Sequence, residues 1–107
     1  KSLSENDFKT ALKRFNIILE SYPEDLNAHF YSAICYYNIS QFDKAIYHFD
    51  VAFKHPYKSF SIDAQWYKAK TYYQSGEHEL SKKLLKEIIE EGDYYKIQAQ
   101  ELLKKLK

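Results

Sequence analysis

Phe8, Ala11, Leu12, Phe15, Ile18 and Leu19 recur 34 residues later as Phe42, Ala45, Ile46, Phe49, Ala52 and Phe53, with the apolar class kept at every position. A looser third copy follows 36 residues further on, at His78, Ser81, Lys82, Leu85, Ile88 and Ile89. Each copy has the i, i+3, i+4, i+7 spacing of one helix face. A single amphipathic helix cannot cover such a face by itself. A face repeated at this period is covered by its own repeat, so the pattern predicts an all-α solenoid of antiparallel helix hairpins. It sets an architecture and points to a binding surface, without naming a ligand.

Composition narrows the function classes. The 16 basic and 15 acidic residues are interleaved along the chain, whereas a nucleic-acid binder would show a basic stripe. No segment approaches the ~20 apolar residues of a membrane span, and no signal peptide opens the chain. Cys35 is the only cysteine, so stability must come from packing rather than a disulfide. The lone cysteine and the lack of a leader favour a cytoplasmic setting, although a leader could have been lost from a longer parent. Eleven tyrosines and seven phenylalanines make a high aromatic share and leave open whether every ring belongs to the core.

About six helices are expected. Asn6-Asp7 reads as a cap for a first helix from Phe8 to Ser21, stopped by Pro23. Residues 1–3 look like the tail of an earlier helix. Further helices are expected at 24–39, 42–54, 60–74, 77–91 and 94–106, with Gly76 and Gly92 in the turns. Residues 1–107 then form one domain: 1–23 as the second half of a truncated repeat, 24–58 and 59–92 as full repeats, and 93–107 as a capping helix. That last helix places Ala99, Leu102, Leu103 and Leu106 on a packed side and Gln98, Glu101, Lys104 and Lys105 on a wet one.

These residues resemble the tetratricopeptide repeat. The middle unit matches with Ala33, Tyr36, Phe42, Ala45, Phe49 and Ala52. The preceding half-unit matches with Ala11, Phe15, Ile18 and Pro23, and the third unit with Ala69, Tyr72, Gly76, Leu85 and Ile88. The chain departs where the family places Trp and Leu in its first helix. His29 and Ser32 stand there in the middle unit, and Gln65 and Lys68 in the third, with Phe30 and Trp66 one place later. Ser81 and Lys82 replace a small residue and its apolar neighbour. Alanine is the better helix former, so Ser81→Ala is expected to stabilise the fold.

The resemblance implies a right-handed stack in which the first helix of each unit lines a concave wall. The positions carried over are Asn27, Phe30, Ile34, Tyr37 and Asn38, then Asp63, Trp66, Lys70, Tyr73 and Gln74. It implies a protein-interaction scaffold that holds a peptide or partner helix, because rings bury much area at small entropic cost. In the opposite reading, a one-residue shift of register puts Phe30 and Trp66 in the core. Tyr36 and Tyr72 are expected in the core in either case. A family subset grips a terminal carboxylate with a Lys/Asn/Arg clamp; of those cations only Lys70 is present, which argues against a clamp. Two other readings stand beside the scaffold: a regulatory or spacer segment of a larger sensor or enzyme, and an RNA-binding repeat, for which a basic inner wall is missing.

No nucleophile motif or phosphate loop is present, so no catalytic activity and no cofactor are expected. His29, His48, His55 and His78 fall in separate segments without a ligand partner at i+3 or i+4, reading as surface or boundary residues rather than metal ligands. Cys35 reads as a buried, inert thiol. The first helix lacks a partner within its own unit. An apolar strip including Leu12 or Ile17 is therefore expected to stand open there, inviting weak self-association.

Overall fold

The computed structural model describes residues 3–106. Six helices follow one another: α1 (Glu5–Ser21), α2 (Leu26–Asn38), α3 (Phe42–Lys54), α4 (Ser61–Gln74), α5 (His78–Glu91) and α6 (Lys96–Lys105). Each packs on the next in the chain, and α2 also touches α4. Two layers result, α2, α4 and α6 on one side and α1, α3 and α5 on the other. The radius of gyration, 14.1 Å, slightly exceeds the roughly 13 Å of a compact chain of this size, as an elongated stack should.

Helix ends follow local chemistry. α1 begins a turn earlier than expected because Ser4 and Asp7 form a capping box. Asp7 N–H donates to Ser4 Oγ at 3.2 Å, and Ser4 N–H donates to Asp7 Oδ2 at 2.9 Å. Leu3 lies outside the helix and is exposed; the rest of the expected N-terminal tail falls outside the described residues. Asp25 caps α2, accepting from Ala28 N–H at 2.8 Å. Gly76 and Gly92 take the left-handed conformation after α4 and α5. Ser40, 36 residues before Gly76, holds φ 60° at the matching turn without a glycine's freedom.

Small residues let the helices approach. Ala33, Ala45, Ala52 and Ala64 have no exposed surface and surround Phe30 and Phe49 in one cluster. Ala69, Leu85, Ile88 and Ala99 form a second. Truncating Phe49 would therefore cost several kcal/mol. Ser81 occupies a close-packed site against α4, where its hydroxyl donates to Ala69 O at 2.9 Å. That overturns the expectation for Ser81→Ala, since the serine makes a buried bond that alanine cannot. Ser32 is the contrary case, its buried Oγ having no partner among the described residues.

The apolar strip expected on α1 is there in part: Ile17 stands open at 65% exposure. Leu12 is buried, at 6% exposure, and so does not stand open. Ile17 is flanked on its helix face by Lys13 and Glu20, and Ile18 is exposed on another side of the helix. Leu12 sits on the side of α1 turned inward, which the six-residue pattern already marked as core.

Candidate functional site

The inner layer has two steps, between α2 and α4 and between α4 and α6. The first is filled with rings. Phe30 is only 5% exposed and stacks on Phe60 at 4.3 Å and 2°. Its edges meet Phe49 and Tyr67, and Tyr67 in turn meets Tyr37. Phe30, expected as a groove anchor, is therefore a core residue. Phe60 accounts for this: it comes from the turn before α4 and lies flat across the ring, closing the step. Ile34 is partly buried against the same cluster.

The second step is open. Trp66, Lys70, Tyr73 and Gln74 from α4 face Gln98, Glu101, Leu102 and Lys105 from α6 across a shallow groove of about 260 Å³. Trp66 is partly buried and stacks on Tyr95 at 5.4 Å, rather than on Tyr73 or Phe30. Tyr95 is fixed by its hydroxyl, which donates to Asp63 Oδ1 at 2.5 Å. Burial and the adjacent carboxylate push that hydroxyl well above the ordinary tyrosine range. Tyr73 stacks on His78.

Lys70 joins the two steps. Its ammonium lies 4.9 Å from the Tyr67 ring, 5.5 Å from Tyr37 and 5.7 Å from Trp66. Three ring faces hold it by cation–π attraction, while burial lowers its pKa. No described carboxylate is within ion-pair distance of it. Burial also raises the hydroxyl pKa of Tyr37, which is partly buried.

Asn27 and Asn38 lie apart from this cluster. Asn27 sits at the start of α2 beside the turn carrying His55 and Tyr57. The Asn38 amide donates to Ile34 O at 2.8 Å, closing the end of its own helix. Sequence reasoning missed the α6 wall of the groove. Gln98, Glu101 and Lys105 read there as the wet side of a capping helix, which they are, but that side borders Trp66. It also missed Tyr67, one place after Trp66, which fills the first step.

Of the four histidines, expected at the surface or its boundary, His29 departs from that expectation. His29 is 6% exposed, and its Nε2 lies 2.7 Å from Pro23 O. A carbonyl can only accept, so Nε2 carries the proton and Nδ1 is left as an acceptor. His48 Nδ1–H fills it, donating across 2.9 Å. Tyr36 stacks on His48 and Tyr47 meets it edge-on. Burial and the neighbouring imidazole lower the His48 pKa to about 4. His55 Nε2–H donates to Glu24 O at 2.9 Å, tying two inter-hairpin turns together. No group of three metal-ligating side chains occurs among the described residues. Cys35 is buried, and burial pushes its thiol above the usual range.

A family model described as tetratricopeptide repeat matches residues 63–91. The match supports a tetratricopeptide repeat assignment for this segment. The matched tetratricopeptide repeat runs through α4 and α5, and the α2–α3 hairpin repeats its small-residue contacts 36 residues earlier. Such repeats are typically non-catalytic and serve as protein-interaction scaffolds. Comparisons with curated proteins and with solved structures returned no match. No helix among the described residues is long and apolar enough to cross a membrane.

Proposed function

We propose that this tetratricopeptide repeat protein binds a peptide or partner helix in the inner groove between α4 and α6. The reading rests on one observation: Trp66, Lys70, Tyr73 and Gln74 occupy successive turns of α4 and border a single open groove. Rings there offer area at small entropic cost, and Gln74 and Gln98 offer amides that can pair with a backbone. Lys70, held by rings and without a carboxylate partner among the described residues, favours a ligand that brings an acidic group to α4. Tyr37 extends this surface towards α2, with Ile34, Asn38, Asn27 and Asp63 as outlying contacts. Phe30 takes no part. Residues 24–58 and 59–92 act as the two full units, flanked by the half-unit 1–23 and the closing helix 93–107.

Trp66 is the chain's only tryptophan and reports on its own groove. Peptides that bind should change its emission saturably. Tyr73→Ala and Lys70→Ala should weaken them about tenfold each, the loss of roughly 1.4 kcal/mol typical of a partly buried contact. Binding that survives both substitutions and leaves Trp66 emission unchanged would remove the groove as the site.

A further inference from the structure

A different face of α4 carries a second recess, on the outer layer. There α3 and α5 stand apart over α4 and enclose about 230 Å³. Gln65, at the floor, is 7% exposed and makes no hydrogen bond to any described residue. Its amide atoms are reached from the recess, since Ser32 Oγ is the one sealed side-chain atom without a partner among the described residues. What satisfies the amide must therefore enter there.

The rest of the lining says what that is. Phe53 from α3, Leu80 and Leu84 from α5, and the Tyr72 ring make the walls apolar. Lys68 also faces in, with one of its three ammonium hydrogens engaged by Asp50 and the Tyr72 ring 5.8 Å away. Lys83 at the rim has no carboxylate within ion-pair distance among the described residues. Glu87 is the single acid in the lining. With Asp50 on Lys68 and Glu87 in the lining, the two ammonium groups meet two carboxylates. The donors still free on Lys68 and the Gln65 amide call for a ligand head that accepts hydrogen bonds, and a carboxylate accepts from an ammonium more strongly than a neutral group does. The apolar walls call for a compact hydrophobic body. An apolar cavity of about 150 Å³ takes a benzene ring, so this volume holds a ring and a short acid arm and is then full.

We propose that this recess binds a small free aromatic carboxylic acid, its ring between Phe53 and Leu84 and its carboxylate on Gln65 Nε2 and Lys68 Nζ. The site is independent of the inner groove. It lies where this chain replaces the apolar residues that the resemblance places at these two positions.

The test uses 3-phenylpropionate as probe, followed by ¹H–¹⁵N correlation spectra of the whole chain. Saturable shifts of the Gln65 side-chain amide are expected, with a Kd near ~1 mM for so small a ligand. 3-Phenylpropanamide, which lacks the charge, should bind at least tenfold more weakly. Gln65→Leu should abolish the shifts elsewhere in the recess. Leu84→His, which offers Gln65 a hydrogen-bond partner in place of an apolar wall, should do the same, so loss of binding does not depend on one variant folding well. The proposal is overturned if no shift saturates, if the amide binds as well as the acid, or if both variants bind normally. A peptide ending in phenylalanine that binds more tightly than the free acid would overturn the assignment to a small molecule. Altered Trp66 emission with a silent Gln65 would move the ligand to the inner wall and also overturn it.

Discussion

The α2–α3 and α4–α5 hairpins are two versions of one unit, 36 residues apart, and they treat a polar residue at the same helix junction in opposite ways. In the first, His29 is bonded at both ring nitrogens, to Pro23 O and to His48. In the second, Gln65 replaces His29 and Leu84 replaces His48, so the polar partner is gone and a recess opens instead. Two replacements, one on each helix of the junction, therefore separate a closed junction from an open one. Polar residues are tolerated at a position meant for large apolar ones when the adjacent helix answers them, or when solvent or a ligand can.

Breaking the closed junction should have the largest effect. His48→Leu copies the second hairpin into the first and leaves the buried Nδ1 of His29 without a donor, at a cost of about 2 kcal/mol. Urea unfolding at neutral pH measures this. Unchanged stability would mean that the imidazole pair contributes nothing and that the two junctions differ only in shape.

Acid should attack the same junction and spare the other. The folded His48 pKa lies near 4 against an ordinary 6.5, so over that interval the unfolded chain takes up a proton that the folded chain refuses. Stability is then complete above pH ~6.5 and falls as pH drops towards ~4. The groups facing the pair are Tyr36 and Tyr47, with Lys44 over the Tyr36 ring, and none is a carboxylate that would hold the cation. The full shift would bound the loss near 3 kcal/mol. His48 is partly solvated, and screening reduces the expectation to about 1 kcal/mol. A His48 ring proton that titrates at its ordinary position in NMR would refute this.

Two smaller tests sharpen the comparison. Ser32, matched by Lys68 in the second hairpin, has a buried hydroxyl with no partner among the described residues. Ser32→Ala should raise stability by about 1 kcal/mol, through relief of that group and better helix propensity. Ser81, matched by Ala45, bonds to Ala69 O. Ser81→Ala should lower stability by about 0.5 kcal/mol, a bond worth about 1 less the propensity gained. Equal signs for the two serines, read from thermal midpoints, would break the distinction between them.

How much of this could be read in advance depends on the distance over which each feature is decided. The six helices were legible because their apolar spacing and glycines are local, although α1 is capped by Ser4 and not by the Asn6-Asp7 expected; α3 starts and ends at the residues its pattern marked. The family was legible from small residues such as Ala33, Ala45 and Ala69, which matter only as close contacts between neighbours. The inner wall was legible only in part. Trp66, Lys70, Tyr73 and Gln74 share a face by helix geometry, so their grouping followed from spacing. Phe30 shares the equivalent face but is covered by Phe60, a turn residue whose position depends on how α4 docks. The His29–His48 pair was hidden for the same reason. Its members lie 19 residues apart on different helices, and no i+3 or i+4 rule reaches across a turn.

Because each helix packs on its chain neighbours, with α2 and α4 also meeting across an intervening one, most stabilising interactions are short in sequence. Low contact order of this kind favours folding within milliseconds. It also makes unfolding progressive. α1 and α6 are each held on one side, so amide hydrogens there should exchange first, and those of α3 and α4 last. The α6 wall of the proposed peptide groove belongs to the segment that opens soonest, whereas the recess above α4 is bounded by α3, α4 and α5, each held on two sides. Mild denaturant would then dismantle the inner surface while leaving the outer one in place.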